Sequence, residues 1–190
     1  MLRSLASKFH NVGVGLESTH VYRLTRHDPI ADVVPAIDVR YEQLDEAGLD
    51  QLATLGPLDR DECEARLARG DGCYAAFAED GLAHYSWVQR AGIHPIDAAG
   101  LDVEIAPHEL WIFNCRTSEA HRGQSLYPAM LQHLVLDHFD LGFETAWIYT
   151  SKDNVASQHG IERVGFVQVD TLRALRIGRY FRPLDDRKAS

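Results

Sequence analysis

Apolar and polar positions recur along this chain in short blocks, and each block predicts one element. Ile37-Asp38-Val39-Arg40-Tyr41 alternates apolar and polar, the period of a half-buried strand. Leu44, Leu49, Leu52 and Leu55 give a first helix, ended by Gly56-Pro57. Asp59 can cap a second helix, with Glu62 three residues on in the manner of a capping box. Cys63, Ala65 and Leu67 form its apolar side, and Gly70 closes it. The strand-like block 73–78 runs into Glu79-Asp80-Gly81, a hairpin signal, and residues 82–88 return. Residues 91–108 form a long loop punctuated by Gly92, Pro95, Gly100 and Pro107, with a short strand at 101–105. The apolar run Leu110-Trp111-Ile112-Phe113 opens a strand over 110–115, followed by a helix over 127–139 and a strand over 145–149. Residues 155–164 predict a helix stopped by Gly165. Residues 166–169 begin a final strand pair, with 172–177 returning, and 182–190 is a polar tail.

The first thirty residues carry the weakest pattern and read as an N-terminal extension. Leu2, Leu5, Phe9 and Val12 are spaced as on one helix face, which favours docking on the domain over a partner chain or a membrane surface. Val21-Tyr22-Arg23-Leu24 predicts a short strand, broken by Asp28-Pro29.

Length and charge narrow the classes. A chain of 190 residues, 45% hydrophobic and 25% charged, suits one domain over 1–190 with a substantial core. No apolar run reaches membrane-spanning length, so no membrane span is expected. The start of the chain lacks the apolar core and cleavage site of a secretory signal. The formal charge of −9 and the absence of a large Lys/Arg cluster argue against a nucleic-acid partner. Three cysteines, Cys63, Cys73 and Cys115, give neither a disulfide framework nor a zinc pattern. They read as reduced thiols in a cytoplasmic protein, and no metal is expected. His133 and His138, five residues apart, miss the spacing of a helical metal pair.

The candidate chemistry lies between the 110–115 strand and the helix that follows. A strand that turns into a helix gathers unpaired backbone N–H groups at the positive end of the helix dipole, which attracts anions such as phosphate. The turn holds Arg122, Gly123, Gln124 and Ser125; Ser125 can cap the helix and Pro128 suits its first turn.

Arg122-Gly123-Gln124-Ser125-Leu126-Tyr127 resembles the acetyl-CoA pyrophosphate loop of the GNAT superfamily of N-acetyltransferases. Asn154-Val155-Ala156-Ser157 and then Gly165-Phe166 resemble that family's closing motif. The two lie in family order, one helix and one strand apart, over roughly 109–169. The resemblance implies an α/β (α+β) fold: a mixed, mostly antiparallel central sheet flanked by helices. Two splayed parallel strands, here 110–117 and 145–150, would form the acyl-CoA cleft. The backbone of Cys115, Arg116 and Thr117 would bond the pantetheine amides. Gln124, Ser125, Leu126 and Tyr127 would present N–H groups to the pyrophosphate, Gly123 would let it approach, and Arg122 would add charge. Asn154 and Ser157 belong to the cofactor set through the closing motif. Acetyl-CoA is the implied co-substrate.

The implied activity is direct transfer of an acetyl group to an amine, with no covalent enzyme intermediate. Such transfer needs a deprotonated amine, a polarised carbonyl and a proton for the leaving thiolate. Glu109 is the leading candidate base, ahead of His108, Glu104, His84 and Tyr85; Asn114 and Arg116 share a side of their strand. Three positions depart from the family pattern. Ser125 and Tyr127 stand where the family has Gly or Gly/Ala, and Ile161 stands where it often has a Tyr. Tyr149, Ser157 or water would then protonate the thiolate. The acceptor is expected to be a small-molecule amine, an amino sugar or related metabolite, bordered by the 91–108 loop. A homodimer is compatible with this reading. The alternative is a non-catalytic GNAT-like domain that binds acyl-CoA as a regulator or assembly partner.

Overall fold

The computed structural model describes residues 14–184. The helix expected around Leu2, Leu5, Phe9 and Val12 lies outside the described residues, as does the tail beyond 184. Strands β1 (Val14–Thr25) and β2 (Arg40–Leu44) come first. A 3-10 helix (Glu46–Leu55) and helix α1 (Arg60–Ala68) follow, then strands β3 (Gly72–Ala78) and β4 (Gly81–Gln89). A small hairpin, β5 (Ile93–Ile96) and β6 (Leu101–Glu104), stands apart from the main sheet. The chain continues with β7 (Glu109–Thr117), α2 (Leu126–Asp140), β8 (Thr145–Ser151) and α3 (Val155–Val164), and ends with β9 (Val167–Ile177) and β10 (Tyr180–Pro183).

The main sheet runs β10-β9-β1-β8-β7-β4-β3-β2. All its pairings are antiparallel except β7 with β8. The mixed, mostly antiparallel sheet flanked by helices is the architecture anticipated from the sequence. One face packs on α2 and α3 through Tyr22, Leu24, Leu110, Ile112, Met130, Leu131, Leu134, Ile148 and Ile161. The opposite face has two covers. Leu49, Leu52 and Cys63 close over Cys73, Tyr85 and Trp87. The β5–β6 hairpin, with Ile96, packs on Val21, Trp111 and Leu172.

Four elements differ from the pattern-based expectation. The helix expected from Leu44 to Leu55 is a 3-10 helix over Glu46–Leu55, with Leu44 ending β2: its buried residues Leu49 and Leu52, followed by Leu55, recur every three positions, the period of that tighter helix. Residues 166–177 do not fold back on themselves. They form one strand, β9, paired along β1 with an irregularity between Val21 and Tyr22, and the turn comes later, at Gly178 (φ 62°), before β10. Arg182 and Pro183, expected in a polar tail, lie in β10. The short strand expected at 21–24 is the twelve-residue β1, which sits between β8 and β9.

Asp59 caps α1 by accepting from the Glu62 N–H at 3.1 Å, but the Glu62 carboxylate pairs with Arg66 instead of closing the box. Gly165 ends α3 at φ 119°, and a side chain there would run into the Pro29 carbonyl. Because β1 is a central strand, its inward residues carry full core weight. Leu24→Ala should lower stability by ~2–5 kcal/mol, whereas Val14→Ala, on an exposed residue, should change it by under about 0.5 kcal/mol. Urea unfolding followed by circular dichroism measures both.

Candidate active site

The parallel strands β7 and β8 are paired from Glu109–Thr145 to Ile112–Ile148 and then part. Beyond that point β7 stays with β4, and β8 stays with β1. The parting coincides with a bulge. Tyr85 faces Arg116 and Trp87 faces Phe113, so β7 carries one residue more than β4 across this span. Asn114 absorbs the distortion at φ 47°, a left-handed conformation that Asn tolerates better than most residues. A bulge bends its strand and sharpens its twist, which turns β7 away from β8.

A cleft of about 760 Å³ opens in the gap. Its walls include Cys115, Arg116 and Thr117 of β7, Tyr149 and Thr150 of β8, the turn residues Arg122, Gly123 and Ser125, and the first residues of α2, Leu126 and Tyr127. Asn154, Ser157, His159, Gly160 and Arg163 close it from α3. The cleft is positively charged: Arg116, Arg122 and Arg163 line it, His121 and His159 stand beside them, and among the described residues no Asp or Glu lines it. In a chain of net charge −9 this is a local inversion of sign that selects anions.

The turn at the cleft floor explains its unusual residues. Gly123 has φ 77°, and a side chain built there would meet nothing within 4 Å, so the backbone is open to a ligand. Ser125 has φ 60°, the conformation glycine adopts most easily, at a position where the resembling family has Gly. Contrary to expectation, Ser125 does not cap α2 through its side chain. Its left-handed backbone turns the hydroxyl outward, where Oγ accepts from Arg163 at 2.7 Å. The start of α2 is thus left without a side-chain cap, and Arg163 is held over it.

Tyr127 lines the cleft. Its ring packs so closely on α3 that a side chain at Gly160 would come within 2.7 Å of it. Its hydroxyl lies 3.1 Å from Ser157 Oγ, and burial raises its pKa well above 10, so it stays protonated. Asn154 Oδ1 accepts from the Ser157 N–H at 3.1 Å and so caps α3. Burial pushes the Cys115 thiol up to about 12, which leaves it an inert wall of the cleft. Beneath β7, His84 is fully buried between Thr117 Oγ1 at 2.8 Å and Ser86 Oγ at 2.9 Å.

Two residues from the sequence-derived set lie elsewhere. Glu109 begins β7 opposite Thr145, at the paired end of the strands and about 16 Å of strand away from the bulge. It is not among the residues lining the cleft, nor are His108 and Glu104. Proximity in sequence to the apolar run suggested it, but the strand carries it away from the gap. Gln124 is also off the cleft: its carbonyl accepts from the Ala36 N–H at 2.9 Å and ties the turn to the segment before β2. Arg163, His159 and His121 were missed. Ala156, Gly160 and Arg163 recur at helical spacing along one face of α3, the signal that would have found Arg163.

Among the described residues the sheet is mixed, and its one parallel pair splays beside a helix start that has no side-chain cap and is flanked by arginines. Residues 40–166 match the model of the Acetyltransferase (GNAT) family, more than half of the chain, and the chain belongs to that family. Solved structures of the same fold include the ribosomal-protein-S18-alanine N-acetyltransferase from Escherichia coli, with TM-score 0.56 and 15% identity over 70% of this chain and 80% of that one. An acetyltransferase from Bacillus subtilis in complex with CoA matches with TM-score 0.53 and 20% identity, over 68% of this chain and 77% of that one. A GCN5-related N-acetyltransferase from Sphaerobacter thermophilus matches with TM-score 0.63 and 10% identity; 87% of this chain spans 54% of that protein's length. No curated protein matches the sequence.

The buried imidazole of His84, bonded to Thr117 of the cleft wall, has a measurable consequence. Burial lowers the His84 pKa from 6.5 to about 3, so the unfolded chain binds its proton first on acidification. Stability therefore falls as pH drops through 6.5, and goes on falling towards pH 3, at up to about 1.4 kcal/mol per pH unit from this residue. Urea midpoints between pH 7 and pH 4 should fall less steeply for His84→Gln than for the wild type.

Proposed function

We propose that this chain is an acetyl-CoA-dependent N-acetyltransferase that transfers an acetyl group directly to a small-molecule amine. The observation that carries this reading is the cationic cleft between β7 and β8, whose lining has no acidic side chain. The diphosphate rests on the turn from Gly123 to Leu126, where the backbone is open and α2 has no side-chain cap. Arg163 and Arg122 add charge to that end of the cleft. Past the bulge the edge of β7 that faces the gap has no partner strand, so the pantetheine arm bonds to the backbone of Cys115–Thr117 as an added strand would. Asn154 and Ser157 shape the α3 wall.

Transfer asks little more than placement and a proton path. Fixing thioester and amine together removes most of the entropy of a bimolecular encounter. A thiolate leaves readily, and Tyr127, protonated and bonded to Ser157 within the cleft, is a hydroxyl that can stand where the family's tyrosine is lacking.

A second reading rests on one observation. Ile161, at the position where the resembling family often has a tyrosine, is fully buried in the core against α2 and cannot serve the cleft. A non-catalytic acyl-CoA-binding domain would have this feature.

A thermal-shift series with acetyl-CoA, CoA and dephospho-CoA tests binding, because a ligand of the folded state alone raises its stability. We expect all three to stabilise the protein; absence of any shift at millimolar ligand would remove both readings. Thiol release from acetyl-CoA in the presence of amines then separates enzyme from binder. Ser125→Glu should weaken acetyl-CoA binding by at least about tenfold, since it sets a carboxylate against the diphosphate and draws off Arg163. Unchanged affinity by calorimetry would place the diphosphate elsewhere.

A further inference from the structure

The backbone of Arg116 edges the gap between β7 and β8, but its side chain leaves the sheet on the face away from α2 and α3. Residues directly opposite in an antiparallel ladder share a face, and Arg116 pairs with Tyr85. Tyr85 packs beneath the 3-10 helix with Cys73 and Trp87. Cys115, one residue before Arg116, packs on the opposite face with the core of α2 and α3. The Arg116 guanidinium lies against Gly56, the residue that ends the 3-10 helix. A side chain built on Gly56 would come within 2.3 Å of Nη2, so only glycine leaves the guanidinium its place. Gly56 also has φ 145°, backbone that favours glycine. On its other side the guanidinium acts on the buried Tyr85 hydroxyl: burial raises that pKa and the arginine charge opposes the rise. The guanidinium is thus seated, yet Arg116 is exposed, and among the described residues no carboxylate pairs with it.

The cleft reaches this face of the sheet as well as the helix side. Cys115, Thr117 and Tyr127 line it towards the helices, and Phe113, Arg116 and Tyr149 line it here. Phe113 packs with the cover made by the 3-10 helix and α1, and Tyr149 with the β5–β6 hairpin. A second mouth of the cleft therefore lies between the two covers. An acyl-CoA seated on the start of α2 fills the helix side, which leaves this mouth to the acceptor.

The charges around the mouth have an order. Arg66 of α1 stacks on Phe113 and Trp87, at 5.1 and 5.2 Å, and is paired with Glu62 at 3.0 Å, so its charge is already met. Arg116 is not met. On the hairpin side Asp97 is exposed, and its charge adds to the burial that pushes the Tyr149 hydroxyl up to about 12. One wall of the mouth therefore offers a free guanidinium and the other a carboxylate. A molecule that carries both an ammonium and a carboxylate complements the two; a simple amine leaves Arg116 unanswered, and a diamine meets it as a like charge.

Resting on the acetyltransferase reading above, we propose that the Arg116 side chain binds a carboxylate of the acceptor and that the acceptor is a free amino acid. The guanidinium fork takes the carboxylate through two parallel hydrogen bonds. Gly56 and Tyr85 fix the fork, and Asp97 draws the incoming ammonium to the hairpin side. The amino group then faces the point where the strands part, while the Arg116 backbone remains free to bond the pantetheine arm.

Thiol release from acetyl-CoA is followed with the common L-amino acids, β-alanine and 4-aminobutyrate. It is followed too with the primary amide of each acid that reacts, at one pH and corrected for the fraction of free amine. We expect at least one amino acid to react, with kcat/KM about tenfold or more above that of its amide, the ordinary worth of a charge-assisted pair. Arg116→Gln should bring that ratio within about twofold of one, chiefly by raising the KM of the acid. Arg116→Lys, which keeps the charge and loses the fork, should hold an intermediate ratio. A wild type that binds acetyl-CoA but acetylates none of these acids, or acetylates an amide as readily as its acid, overturns the proposal. So does Arg116→Gln with the wild-type ratio, even if its KM for acetyl-CoA rises, because the side chain then serves the cofactor. Absence of an acetyl-CoA thermal shift in the wild type defeats the acetyltransferase reading instead.

Discussion

The arrangement depends on where the hydrogen bonds between β7 and β8 stop. Four residue pairs hold these strands in parallel register, and the next residues of each strand pair only on their outer sides. A buried backbone edge without partners is expensive unless something else supplies donors and acceptors. The bulge at Asn114 makes the separation part of the fold rather than a fluctuation, because β7 is bent there while it remains laddered to β4. Of the three described non-glycine residues with left-handed backbone, His108, Asn114 and Ser125, the last two line the cleft, one opening the gap and one shaping the turn below it. Left-handed conformations at non-glycine residues cost about 1 kcal/mol or more each, and they persist where the surroundings over-determine them.

Charge and burial then divide the labour. The arginines lie at the wide end with the open backbone of Gly123, while the walls where the strands part are neutral: Cys115 on the helix side, Phe113 and Tyr149 on the other. Burial raises the Cys115 and Tyr149 groups to about 12 and so keeps them un-ionised. A thioester entering such a place meets few competing charges and little water, conditions under which oriented dipoles act strongly.

The second half of the chain was readable from its own pattern because its elements are local. The apolar run before Asn114, the helix after Ser125 and the Asn154-to-Gly165 helix with cap and stop each carry their own signals within about fifteen residues. Strand β1 was not readable in the same way. Its outer half is exposed (Val14, Leu16) and its centre is polar (Ser18, Thr19, His20), so no clean alternation marks a central strand. Its place is set by partners at least 120 residues away, β8 and β9. Glu109 was misplaced for the opposite reason: it adjoins a strong local pattern, but only the strand register reveals that it stands at the closed end.

The account stands on the open edge of β7 taking up the arm of an acyl-CoA. Amide hydrogen exchange across residues 113–117, with and without acetyl-CoA, tests this directly. The account predicts that amides in this stretch facing the gap exchange rapidly in the free protein and become protected on binding, together with those at the start of α2. Binding that leaves exchange in 113–117 unchanged would contradict it.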